Sequence, residues 1–157
     1  MKAIFWIGPT NFFGSLIRLF KHRGIAHCEI MFSDGFSGTS KPNCGIALYP
    51  LAFNPADWFV IDIPCTQTQE AQVRKFFAVD EAGCGYDWLG IAFCQVFHWG
   101  WGSKDKWFCS EACMTALRPL FPEFKDIKPH QVDPATLAVL LEMAYSQRAH
   151  VAATRVS

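Results

Sequence analysis

Hydrophobic positions in the first half of the chain come in short blocks, and those in the second half recur at helical spacing. "KAIFWI" (residues 2–7) is a short apolar run that predicts a buried strand, closed by the turn signal Gly8-Pro9. Phe12, Phe13, Leu16, Ile17, Leu19 and Phe20 then fall on one helical face, and Lys21-His22-Arg23 before Gly24 is the composition of a helix C-terminus. "AHCEIMFSDGFSGTS" reads as two extended runs around Ser33-Asp34-Gly35, a hairpin whose first strand opens at His27. "CGIALYP" and "WFVIDIP" are two more β-like runs, separated by Pro50, Asn54 and Pro55. These runs predict a small antiparallel sheet.

Beyond Pro64 the period changes. A helix is expected from Thr68 or Gln69 through Phe77, and another, strongly apolar, from Tyr86 to Phe97 after the Gly83-Cys84-Gly85 turn. "CSEACMTAL" is a third, stopped near Pro119. Asp133 as N-cap and Pro134 at the first helical position introduce a fourth, "ATLAVLLEMA". A block of strands followed by helices predicts an α+β fold, with the helices packed on one face of a twisted sheet.

The length of 157 residues suits a single domain, taken here as residues 1–146, with a frayed tail over 147–157. Lys plus Arg and Asp plus Glu both number 14, and no basic stripe is present, so nucleic acid is not an expected partner. Six Trp and 15 Phe imply a thick aromatic core, an apolar cleft or both. No apolar run reaches the roughly 18 residues of a membrane span. The first apolar segment is interrupted too early by Gly8-Pro9-Thr10-Asn11 to serve as an export signal, so a cytoplasmic location is expected. Seven irregularly spaced cysteines in such a chain are expected to stay reduced, and most of them to pack as core residues.

Cys109 differs from the others because it stands at a predicted helix start, where unpaired N–H groups and the helix dipole favour a thiolate. Ser110 and Glu111 follow in the first turn, and the same N–H groups suit the oxyanion of a tetrahedral intermediate. A thiol nucleophile needs a base. Of His22, His27, His98, His130 and His150, His27 is the best placed, opening a strand in the apolar block. The plain alternative for His27 is a half-buried strand histidine with its nitrogens satisfied.

Taken together, "AHCEIMFSDG", "GYDWLGI" and "KWFCSEACMTAL" resemble the circularly permuted branch of the NlpC-type papain-like hydrolases, the YaeF/YiiX-like amidases. That branch is distantly similar to lecithin retinol acyltransferase-like proteins. Its features match His27 with Ile30, Tyr86-Asp87 and Cys109-Ser110-Glu111, and the likeness covers residues 3–118. The resemblance implies a permuted papain-like fold with Cys109 as nucleophile at a helix N-terminus and His27 as general base. It also implies cleavage of an amide, of peptide or peptidoglycan type, or of an acyl ester, with no cofactor. The substrate would then be a peptide, an amide or an acyl lipid. A bacterial protein is compatible with this reading, and so is a phage-encoded one acting in the host cell.

The family's third polar residue, which orients the histidine, falls on Thr39. Threonine has no charge to offer an imidazolium, and Glu29 stands where the family often has glycine. Residues two apart on a strand share a face, so Glu29 is an alternative carboxylate partner for His27; the other reading is an ordinary exposed strand residue. Ser37 and Ser40 are reserve candidates. Tyr86 is a candidate oxyanion donor or a packing residue, and Asp87 a helix N-terminal residue. Trp107 and Phe108 are expected to shape the cleft, with "HWGWGSKDK" as a flap or a pinned surface loop. Two rival readings remain. One is a zinc site built on Cys109 and Cys113 with His27, Cys28 or His98. The other is a protein of the same fold that has lost the reaction and holds a peptide or lipid in its aromatic cleft.

Overall fold

A computed structural model describes residues 1–9, 24–41, 44–86 and 106–154. The helical spacing of Phe12–Phe20, the expected helix beyond Tyr86, His98 and the Trp99–Trp101 loop lie outside the described residues, as do His22 and Asp87.

Five antiparallel strands make the main sheet: β1 (Lys2–Trp6), β2 (His27–Met31), β3 (Phe36–Lys41), β4 (Gly45–Pro50) and β5 (Trp58–Asp62), in the spatial order β4-β3-β2-β1-β5. β2 and β3 are joined through the expected turn. There the Phe32 N–H donates to the Phe36 carbonyl at 2.8 Å, and Gly35 takes a φ of +83°, which other residues rarely adopt. β1 pairs with β2 on one side (Ile4 opposite Glu29, Trp6 opposite His27) and with β5 on the other.

This register sorts the side chains. Ala3, Phe5, Cys28, Ile30, Ile46 and Ile61 share the face that joins the main apolar core. Ile4, Glu29, Ser37, Thr39 and Tyr49 belong to the opposite face. The second set carries Glu29, Ser37, Thr39 and Tyr49, whereas Ser40, opposite Ile46, shares the core face.

Three α-helices follow among the described residues: α1 (Gln67–Lys75), α2 (Cys109–Leu117) and α3 (Pro134–Thr154). α1 starts ahead of the expected Thr68 because Thr66 and Gln69 form a reciprocal capping box. It runs into a wider π-type turn, Phe76–Asp80. Phe77 from that turn lies so close to Gly38 of β3 that a Cβ there would sit 2.5 Å from its ring. Where a helix start was expected at Tyr86, Gly85–Tyr86 forms a short strand, β6, pairing in parallel with β7, Lys106–Trp107.

α2 packs on β2 and β3. Its Ala112, Cys113, Met114 and Leu117 are buried with Phe5 and Ile30, each large side chain stabilising the fold by about 1.5–3 kcal/mol. Asp133 caps α3 as expected, accepting from the Thr136 N–H at 2.9 Å. Residues 147–154 of the expected tail lie in α3, which runs to Thr154, and Arg148 bonds both Glu123 and the Leu120 carbonyl. The fold is α+β, and no helix among the described residues is long and apolar enough to cross a membrane.

Candidate active site

Cys109 is the first residue of α2. The residue before it, Phe108, is extended and offers no side-chain cap, so the first-turn N–H groups have no competing side-chain acceptor there. The chain entering this helix is pinned to the sheet by Ser40, whose hydroxyl donates to the Trp107 carbonyl at 2.7 Å. One turn on, the Cys113 thiol points to the Cys28 carbonyl at 3.7 Å.

His27 opens β2 at the end of the sheet, with 24% of its side chain exposed. Its ring is near enough to the Cys109 thiol for each to shift the other's titration. On its other side Nε2 is 3.0 Å from Glu29 Oε1. With Nε2 given to Glu29, Nδ1 is the nitrogen left for the sulfur. The ring therefore joins a thiol from the helix side of the sheet to a carboxylate on the opposite face.

The Glu29 carboxylate is almost fully buried, at 2% exposure, and a lone charge there would be costly. It is not alone. Ser37 donates to Oε2 at 2.6 Å, the Tyr49 hydroxyl lies 2.5 Å from both oxygens, and Lys41 Nζ stands 3.8 Å from Oε1. Lys41 also sits 3.4 Å above the Tyr49 ring centre.

Electrostatics follows from these contacts. Burial by itself would lower the His27 pKa, but the charge and hydrogen bond of Cys109, then those of Glu29, outweigh it and raise it to about 10. Cys109 is held well below the ordinary thiol range, first by a hydrogen bond from the Cys28 thiol and then by His27, against the effect of burial. Cys28 itself is pushed up by burial and by its two cysteine neighbours, so it remains a protonated donor. Burial opposes ionisation of Glu29, yet its bonds to His27, Ser37 and Tyr49 lower its pKa. Burial and the Glu29 charge push Tyr49 up. These directions favour thiolate, imidazolium and carboxylate in sequence, the last held by two hydroxyls.

The remaining sequence candidates divide. Thr39 does not take the orienting position: its hydroxyl donates to the Cys28 carbonyl at 2.8 Å, and the partner of His27 is Glu29. Phe108, expected at the cleft, is buried at 1% exposure. Trp107 is half-buried with its ring edge-on to Phe76 at 5.6 Å. The Ser110 hydroxyl is fully buried with no hydrogen-bond partner among the described residues. Tyr86 lies opposite Trp107 in β6, and its side chain is outside the described residues. Among the described residues no group of three or more His, Cys, Asp or Glu side chains is arranged to hold a metal ion.

Sequence reasoning missed Tyr49, Lys41 and the role of Cys28. Only the pairing of Ser37 with Tyr49 across β3 and β4 brings that tyrosine to Glu29. The one available sequence signal was alternation, which puts Ser37 and Tyr49 on matching faces once the hairpin register is known. No family model matches the chain, and no curated protein matches it.

Proposed function

We propose that the protein is a cysteine hydrolase of the permuted papain-like type, cleaving an amide or acyl ester bond through an acyl-thioester on Cys109. The observation that carries this reading is the position of His27 between the Cys109 thiol and the Glu29 carboxylate, 3.0 Å from the latter. Chain order supports it as well, since the histidine strand precedes the cysteine helix, as in the resembling branch.

In this mechanism the Cys109 thiolate attacks the carbonyl carbon, and the resulting oxyanion is met by backbone N–H groups at the start of α2. The His27 imidazolium gives its proton to the leaving amine or alcohol as the carbon–heteroatom bond breaks, leaving the acyl group on sulfur. Neutral His27 then takes a proton from water, whose oxygen attacks the thioester. Collapse of the second intermediate releases the acid and restores the thiolate–imidazolium pair. Glu29 keeps the ring oriented and stabilises its charge throughout, as the third member of a triad does. The same contact favours this reading over a protein of the same fold that has lost the reaction, because a simple binding cleft has no chemical use for a buried carboxylate against the histidine.

A thiol-directed electrophile at neutral pH should modify Cys109 ahead of the other six cysteines, located by peptide mapping. A panel of peptides, simple amides and acyl esters, assayed with wild type and Cys109→Ser, should show turnover that the variant abolishes. Preferential labelling of another cysteine, or turnover surviving Cys109→Ser, would sink the proposal.

A further inference from the structure

The Tyr49 hydroxyl, 2.5 Å from both oxygens of Glu29, has no part in the three-residue mechanism just described. Resting on the Cys109–His27 reading, we infer that Tyr49 is a positioning residue that locks the Glu29 carboxylate in the orientation that presents Oε1 to His27 Nε2. A glutamate side chain has free torsions, and a strand backbone leaves its carboxylate plane undetermined. One donor on one oxygen would still allow that plane to rotate. A hydroxyl shared by both oxygens, together with Ser37 on Oε2 at 2.6 Å, fixes it. Tyr49 stays protonated beside the anion, so it acts only as a donor. Lys41, 3.4 Å above the ring, draws electron density from the phenol and strengthens that donation.

The titratable groups acting on this carboxylate and its histidine are Cys109 from α2, Lys41 from β3 and Tyr49 from β4, with Cys28 and Cys113 behind Cys109 and Cys44 beside Tyr49. Two physical effects of removing the hydroxyl have opposite signs, which makes the inference testable. If the hydroxyl only competes with His27 for the carboxylate, its loss strengthens the His27 bond and lowers the Cys109 pKa further. If it positions the carboxylate, its loss weakens that bond, and Cys109 moves back toward the ordinary thiol range.

The experiment measures the rate of Cys109 alkylation by iodoacetamide against pH, for wild type, Tyr49→Phe and Ser37→Ala, with thermal unfolding as a check on folding. Tyr49→Phe should move the acid limb of the alkylation profile upward by about one pH unit, the size expected for losing one hydrogen bond to a charged group. Ser37→Ala should move it less. An unmoved or lowered limb in Tyr49→Phe, with wild type still reacting well below the ordinary thiol range, overturns the role of Tyr49 alone. A wild-type limb already at the ordinary thiol value overturns the Cys109–His27 reading instead. Should Tyr49→Phe fail to fold, proton NMR of the wild-type protein decides: a far-downfield Tyr49 hydroxyl proton is expected, lost in Glu29→Gln. Its absence from wild type refutes the bond.

Discussion

Replacing Glu29 by glutamine removes one charge and almost no volume, which makes it the sharpest probe of the site. The amide keeps an oxygen able to accept from His27 Nε2 at the present 3.0 Å, so what is lost is the charge behind that hydrogen bond. Two unit charges about 4 Å apart interact by ~4 kcal/mol at the effective dielectric of a protein surface. The ring is 24% exposed and a neutral bond survives, so the net loss is closer to the charge-assisted excess of a hydrogen bond, about 2 kcal/mol. That converts to about 1.5 pH units.

The sign is set by which form of His27 loses support. Glu29 stabilises the imidazolium, so its removal lowers the His27 pKa, from about 10 toward the range of 8 to 9. In the proposed reaction the alkaline limb of kcat/KM reports loss of the imidazolium that protonates the leaving group, the pair titrating together. Wild type should therefore stay active up to about pH 10, and Glu29→Gln should lose activity about 1.5 units earlier. The assay is kcat/KM across pH on whichever amide or ester the substrate panel identifies, with stability checked at each end. An alkaline limb that moves by less than about half a unit, or moves upward, would refute the charge argument.

Other outcomes follow from neighbouring contacts. Cys28→Ala removes the hydrogen bond that does most to hold Cys109 low, so the acid limb of Cys109 alkylation should rise toward the ordinary thiol range; an unchanged limb would assign the lowered pKa to His27 alone. Gly45→Ala should destabilise by about 3 kcal/mol or more in urea unfolding, because φ is +64° and a Cβ would lie 1.8 Å from the Cys84 carbonyl oxygen, which also accepts from Ile46 N–H. Gly38→Ala should cost about 1–3 kcal/mol, since its Cβ would meet the Phe77 ring at 2.5 Å; a neutral result would mean the π-type turn carrying Phe77 is free to shift.

The strands were legible because each is a short apolar run between turn residues, and the hairpin at Ser33-Asp34-Gly35 appears where a glycine with positive φ permits it. α2 and α3 were legible for a related reason, a helical period beginning at a recognisable start. What failed to show was long-range. Tyr86 reads as a helix start from local composition, yet its backbone is drawn into pairing with Trp107, a partner the sequence does not announce. Phe108 reads as a cleft residue because it flanks a cysteine, yet its side chain is buried at 1% exposure. The choice between Glu29 and Thr39 was open for the same reason. Alternation puts both on the face of His27, but their side-chain directions depend on contacts made across three strands.

That choice shows how the site is built. A partner on the next strand would depend on sheet register to meet the histidine, and a one-residue slip would carry it to the wrong face. Glu29 stands two residues from His27 on the same strand, so covalent geometry alone keeps the two on one side. The arrangement exchanges one uncertainty for another, because a long acidic side chain brought near by its backbone still has to be turned and still has to be kept ionised at 2% exposure. Register returns at this second level. Ser37 and Tyr49, directly opposite each other on β3 and β4, deliver their hydroxyls to one carboxylate, and Lys41 adds a cation above the ring. Thr39 is too short and uncharged for either task, and its hydroxyl instead satisfies the Cys28 carbonyl, the backbone beside His27. The polar face of a small sheet thus holds its acid by cross-strand hydroxyls, leaving His27, at the sheet's end, to carry that charge to the thiol on the other side.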